Sequence, residues 1–248
     1  MQKVNINEVV KVMLNMQDKG EAVTLLGIGP MSKTLLKACF ELGKEKDFPL
    51  LFIASRNQVD AAELGGGYVC NWNQRTFTQT IAETAAETGF DGLYYTCRDH
   101  GGPWQRDNER NDHLEEELAM QLGKQSYLED LINGFDLLHI DPTKDPYEMG
   151  KVVPMESVLS RTIELIQYCE SERKRLGLAE IGYEVGTEET NGGLTSRETY
   201  ETFIQTLNSE LEKRQLPTPT FIVGQTGTLV KMTENVGTFN SKNAQELA

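Results

Sequence analysis

Six short apolar runs recur along the chain, each followed by a glycine-containing or polar cluster and then by a longer stretch with helical spacing. They are "VTLLGIG" (23–29), "PLLFIAS" (49–55), "GLYYTC" (92–97), "DLLHID" (136–141), "IGYEVG" (181–186) and "TFIVG" (220–224). Strand-like runs alternating with helical patterns predict βαβ units and a parallel sheet. In "NDHLEEELAMQLGKQSYLEDLING", Leu114, Leu118 and Leu122 share one face, Asp112 and Glu115 form a capping-box-like start, and Gly134 is placed to stop the helix. Met155, Val158, Leu159, Thr162, Leu165, Ile166 and Cys169 trace a second amphipathic face that ends in "ERKRLG", with cations in the last turn and Gly177 beyond. Near the N-terminus Val9, Val12, Met13 and Met16 give a further helical stripe.

No linker rich in Pro, Gly or Ser and no low-complexity tract divides the 248 residues, so residues 1–248 are read as a single domain. Catalytic loops lie at the C-terminal ends of the strands both in an α/β barrel and in a doubly wound sheet. A TIM-type (β/α)8 barrel needs eight strands, and six are visible. The ending "FNSKNAQELA" reads as a helix N-capped by Ser241. A barrel truncated after about six β/α units is therefore expected, with its last two units missing or with an unusual closure.

Composition narrows the function classes. Apolar residues make up 38% and charged residues 25%, which suggests neither disorder nor a membrane span. The first residues lack an apolar signal core. Cys39, Cys70, Cys97 and Cys169 are far apart and show no paired spacing for zinc or a disulfide framework, so a reducing cytoplasm is expected. A net charge of -14 argues against nucleic acid, whereas a few local arginines or backbone amides can still hold a small phosphate ester.

Candidate chemistry gathers after the strand-like runs. In "TCRDHGGPWQRDNER" (96–110), Asp99 and His100 would point to opposite faces of a regular strand, but at a strand end both can reach one cavity. Gly101 and Gly102 would let a ligand approach the backbone, and Trp104 would form a wall; the alternative is a polar turn lidded by Trp104. In "DLLHIDPT" His139 and Asp141 share a face and suit proton transfer or ligation, although His139 could be a hydrogen-bonded core residue and Asp141 a turn initiator. Glu184, between Gly182 and Gly186, is either a site carboxylate or half of a salt bridge. Glu188 and Glu189 are expected in solvent, as is His113. Arg56, Asn57, Arg98 and Gln225 are candidate substrate-binding groups, and "LGGGYVCNW" (64–72) and "VGQTGT" (223–228) are weak phosphate-loop signals.

The order of motifs, "SRNQV", "GG-Y", "DHGGPWQ", "LHIDPT", "EVGTEE" with "NGG", and "VGQTG", resembles the family of the so-called non-catalytic subunit of class II D-tagatose-bisphosphate aldolase over roughly residues 20 to 240. The resemblance implies a (β/α)8 barrel related to metal-dependent class II ketose-bisphosphate aldolases, and a role in tagatose or related ketose-phosphate catabolism as an accessory, stabilising subunit. It implies a sugar-phosphate ligand, a catalytic aldolase subunit as partner and an oligomeric state. The alternative it leaves is a metal-dependent aldolase or C4-epimerase acting by retro-aldol chemistry through an enediolate. On that alternative Asp99, Asp141 and His139 are catalytic, Asp99 moving the C4 hydroxyl proton, and His100 and Glu184 sit in the shell of a divalent metal, zinc first. Three departures bear on this, one of them the shortened Gly-Gly-Pro-Trp segment after His100. Arg98 stands where the family often has Gly, and no histidine follows His139.

Overall fold

The computed structural model describes residues 4–148, 152–186, 196–225, 228–230, 233, 235–237 and 239–247. Each of the six predicted runs falls on a strand, β3 extending four residues past its run: β1 (Leu26–Ile28), β2 (Leu50–Ser55), β3 (Tyr94–Gly101), β4 (Leu137–Ile140), β5 (Gly182–Val185) and β6 (Phe221–Ile222). They form one parallel sheet in the order β1-β2-β3-β4-β5-β6. A doubly wound sheet reverses its strand order at a switch point; here the order never reverses. Right-handed crossovers then deliver the helices to one face. The result is an α/β half-barrel, and the register makes the alternation of side chains explicit.

One face of the strands meets α2 (Lys33–Lys46), α3 (Gln74–Thr88), α5 (Glu116–Ile132), α6 (Met155–Arg175) and α7 (Arg197–Lys213). Leu50, Phe52, Ala54, Leu138, Ile140, Tyr183 and Val185 from the strands pack there with Phe40, Phe77, Tyr127, Leu165, Phe203 and Leu207 from the helices. The opposite, inner face carries the alternate residues. Leu51, Tyr95, Cys97 and Leu137 form a smaller cluster with Ile6 of α1 (Ile6–Asp18). The N-terminal segment is stitched across the N-terminal ends of the strands: Tyr95 donates its hydroxyl to the Val4 carbonyl at 2.9 Å, and Asn5 donates to the Glu180 carbonyl at 2.6 Å. The predicted stripe of α1 is only half covered, since Ile6 alone in that helix is buried and Val12 is 59% exposed.

The α6 pattern folds as expected, with Val158, Thr162, Leu165, Ile166 and Cys169 buried and Gly177 at φ 66° just after the Leu176 cap. The leucine face expected of α5 does not. Its buried residues are Ala119, Met120, Gly123, Ser126, Tyr127, Asp130 and Leu131, while Leu118 is exposed. The reason is a close approach. A Cβ on Gly123 would stand 2.8 Å from the Gly102 carbonyl carbon, so α5 lies directly on the backbone that follows β3 and only small residues fit between. Glu115 caps α5 without a side-chain hydrogen bond, so the expected Asp112 start is also corrected. Gly134, at φ 77°, follows the helix as predicted.

A five-residue helix, α4 (Asp107–Asn111), precedes α5. After β6 come two short strands that the hydrophobic pattern does not announce, β7 (Thr228–Val230) and β8 (Asn235–Gly237), which pair antiparallel. The last helix, α8, runs Ser241–Leu247. Its cap is Asn240, whose carboxamide oxygen accepts the Lys242 amide at 2.9 Å, rather than Ser241. Among the described residues no helix is long and apolar enough to cross a membrane.

Candidate active site

Asp99 keeps the inner-face parity of Tyr95 and Cys97 and pairs in register with Ser55 of β2. His100 would ordinarily turn toward the helices. Between Arg98 and Gly101 the β3 register slips against β4, where Arg98 pairs with Leu138 and Gly101 with Ile140, so three steps on β3 oppose two on β4. That is a β-bulge, the usual device for re-aiming a side chain. His100 sits at its centre with φ 42°, a backbone conformation costing on the order of 1–3 kcal/mol and concentrated at functional sites. The stretch after the apolar run is thus bulged strand rather than a polar turn, and the bulge brings two adjacent side chains into one cluster.

The cluster is compact. His100 Nε2 lies 3.8 Å from Asp99 Oδ1, and His139 Nδ1 lies 3.7 Å from the same oxygen. The two imidazole rings are 5.1 Å apart, centre to centre. Asp99, His100 and His139 each present a ligand atom within 4.8 Å of the others. His139 is buried on β4, whereas Asp99 and His100 are about one-third exposed, at 30% and 31% of their side chains. Glu184 of β5 pairs in register with His139.

Asp141, read with His139 as suited to proton transfer or ligation, is held by donors on three neighbouring groups. Its fully buried carboxylate accepts from His100 Nδ1 at 2.7 Å and from the Thr143 amide at 3.0 Å, and it also accepts the Thr143 hydroxyl. Burial opposes ionisation, yet His100, His139 and Thr143 together hold its pKa well below the usual carboxylate range. A carboxylate so committed orients His100 and fixes the proton on Nδ1, so that the ring's lone pair lies on Nε2, as in carboxylate–histidine metal sites.

His139 is held from two sides. Its carbonyl accepts the buried Tyr127 hydroxyl at 2.8 Å, and its Nδ1 accepts the His100 backbone N–H at 3.2 Å. Burial lowers the affinity of the ring for a proton, while Asp99, Glu184 and Asp141 raise it and prevail. The His100 N–H is the shorter contact to Nδ1, so the neutral ring carries its proton on Nε2. Nε2 is buried with no hydrogen-bond partner among the described residues, and a Cβ on Gly186 would come within 2.9 Å of it. Asp99, despite its burial, is held below its ordinary pKa by the two imidazoles. It is a charged base at neutral pH.

Several expected binding groups are placed elsewhere. Arg98 faces the helices, fully buried; it forms a bidentate pair with Asp130, with Nε donating at 2.8 Å, and its Nη1 donates to the Ala54 and Val59 carbonyls at 2.9 Å each. Arg56 is also fully buried. Its Nε is 3.1 Å from Asp60, its Nη2 is 2.8 Å from Glu109, and its Nη1 donates to the Gly102 carbonyl. Both guanidiniums are consumed by structural ion pairs, so neither is open to an anion. The space left by Gly101 is likewise filled: a Cβ there would meet Tyr127 Cε1 at 2.5 Å and the His139 carbonyl oxygen at 2.8 Å. Gly102, at φ 113°, lies under α5. These glycines serve protein packing rather than ligand approach. Trp104 is buried, donating to the Leu114 carbonyl at 2.8 Å under the Arg161 guanidinium, and pins the chain after β3. Asn57 borders an open cleft and donates to the Gln105 carbonyl and to Asp107, both at 3.3 Å. Gln225 is half-buried just after β6. Glu188, Glu189 and the "NGG" motif lie outside the described residues.

Three supporting residues escaped the sequence reading. Gln105 donates to the Asp141 carbonyl at 2.7 Å, Thr143 holds the Asp141 carboxylate, and Tyr127 holds the His139 carbonyl. Only Thr143 left a local trace, in the Asp-Pro-Thr spacing.

The chain matches the family model described as D-tagatose-1,6-bisphosphate aldolase subunit GatZ/KbaZ-like over residues 10–219. It belongs to that family. No curated protein matches it. Among solved structures it is similar to the crystal structure of a probable tagatose 6 phosphate kinase from Sinorhizobium meliloti 1021, with TM-score 0.72, 19% identity and 91% of this chain covered. At that identity the likeness bears on the fold alone. The chain spans 55% of the length of that structure. The GatZ/KbaZ-like match takes in β1 to β5 and the whole Asp99–His100–His139 cluster.

Proposed function

We propose that the chain acts in cytoplasmic ketose-phosphate metabolism, with tagatose the leading sugar, as an accessory, stabilising subunit of a class II tagatose-bisphosphate aldolase. Membership of the GatZ/KbaZ-like family carries this reading. The sequential strand order supports a TIM-type (β/α)8 arrangement, whose C-terminal mouth is where sugar phosphates are handled. The test is reconstitution. Adding the purified protein to a catalytic class II aldolase subunit is expected to raise its bisphosphate cleavage rate and its melting temperature, with an assembly larger than either chain alone. If neither quantity changes, the accessory role fails.

A second reading, a metal-dependent aldolase or C4-epimerase in its own right, draws on the bulge that brings Asp99 and His100 to His139. The donor set suits a divalent ion such as zinc. Asp99, His100 and His139 each offer a ligand atom within 4.8 Å of the others, and Glu184 supplies a carboxylate from the neighbouring strand. Such an ion would polarise a ketose carbonyl. The chain's own work is then divided: Asp141 and Tyr127 hold the two histidines, and partly open Asp99 takes or returns the proton of a substrate hydroxyl. Turnover of tagatose or fructose phosphates by the protein alone, abolished by EDTA and by Asp99→Asn, is the expected result. Unaltered turnover in Asp99→Asn would sink the proton-transfer role.

A further inference from the structure

Beside the Asp99–His100–His139 cluster, at the same end of the sheet, lies a cleft of about 480 Å³ bordered by Ser55, Asn57, Gly65, Gly66, Gly67 and Arg106. Ser55 is the register partner of Asp99, and adjacent strands lie about 4.8 Å apart. A group seated in the cleft is therefore within the length of a sugar of the cluster.

We propose that this cleft binds the phosphate monoester of a sugar phosphate, with Arg106 as its principal ligand; the inference rests on the sugar-phosphate reading of the site and assigns the anchor that Arg56 and Arg98 do not provide. Arg106 is 11% exposed, and its Nη1 donates to the Arg56 carbonyl at 2.8 Å. Its Nε is buried without a partner among the described residues. Its nearest carboxylate, Asp60 at 3.5 Å, is already held by Arg56 at 3.1 Å, by Gln74 and by Ser126. The charge of Arg106 is thus fixed in place and only partly answered, and a planar guanidinium fork matches phosphate geometry. Asp107, the one carboxylate among the described residues that border the cleft, is paired with Arg110. The glycines keep the cleft open: a Cβ on Gly65 would stand 2.9 Å from Arg106 Nη2, and beyond Gly66 there is nothing within 4 Å.

The test is equilibrium binding of D-fructose 6-phosphate, D-fructose and inorganic phosphate to the intact chain. The ester is expected to bind at least about tenfold more tightly than the free sugar, the size of one lost charged contact. Arg106→Gln should abolish that preference. Because Arg106 also braces the Arg56 carbonyl, a second pair of variants avoids dependence on its fold. Gly66, at φ 66°, accepts Asn or Asp with little strain. Gly66→Asp should expel the ester while Gly66→Asn, of the same shape, retains most of the affinity. The site is overturned if Arg106→Gln and Gly66→Asp bind the ester as the parent does, or if ester and free sugar bind alike. Those results leave the aldolase-subunit reading to its own reconstitution assay; conversely, ester binding lost in both variants upholds the cleft even where reconstitution shows no effect.

Discussion

Replacing Arg98 by Met tests most directly the distinction between a buried structural arginine and a substrate-binding one. The change removes a bidentate partner from Asp130, which is itself fully buried, and strips the Ala54 and Val59 carbonyls of their 2.9 Å donors. Breaking a buried pair from one side costs about 3–5 kcal/mol, because the remaining charge is stranded. In a domain of this length that lowers the melting temperature by about 6–20 °C. It is a large fraction of a total stability of about 5–15 kcal/mol. Adding Asp130→Asn in the Arg98→Met background removes the stranded charge, so at least about 1.5 kcal/mol should return, although the two carbonyls remain without donors. Urea unfolding followed by circular dichroism and fluorescence measures both effects, provided the slope against denaturant is unchanged. A loss below about 1 kcal/mol in Arg98→Met, together with weakened binding of D-fructose 6-phosphate, would refute the structural assignment.

Four further outcomes are expected. Tyr127→Phe should cost about 1 kcal/mol, the worth of its hydrogen bond to the His139 carbonyl, and should shift the His139 imidazole resonances, so unchanged resonances would deny the positioning role. Gly101→Ala forces a Cβ into Tyr127 and should cost about 1–3 kcal/mol by overpacking; a crystal structure showing Tyr127 undisturbed would contradict this. Asp141→Asn should weaken Zn²⁺ binding about 10–100-fold by calorimetry, and equal affinity would remove Asp141 from the support of His100. Glu170 supplies a pH dependence. Burial works against its ionisation, but Arg173, Tyr183 and Lys174 outweigh it and hold its pKa below the ordinary 4.5. The folded value is depressed, so its contribution is present above 4.5 and lost as pH falls below that. Stability of Glu170→Gln should therefore fall less steeply than the parent's below about pH 4.5, and parallel curves would count against the linkage.

What the sequence determined is what depends on neighbours along the chain. Short apolar runs marked the six strands, and the α6 stripe and Gly134 followed from helical periodicity and from the need for a left-handed residue after a helix. His139 and Asp99 were legible as inner-face residues by parity. The tertiary structure decided whatever depends on what lies across from a residue. Arg98 and Asp99 are adjacent and equally polar, yet opposite faces of β3 send one to Asp130 and the other to the two histidines. Nothing local marks the bulge that turns His100 inward, since it is a register mismatch between β3 and β4. The leucine face of α5 gave way because Gly123 meets the Gly102 backbone, a contact between residues 21 positions apart. Arg106 was unremarkable in the sequence, and only the folding of the Gly65–Gly67 segment beside it makes it the border of a cleft. The physical reason is the same in each case: periodicity fixes which way a side chain points, but its partner, and so its charge state and availability, is fixed by packing.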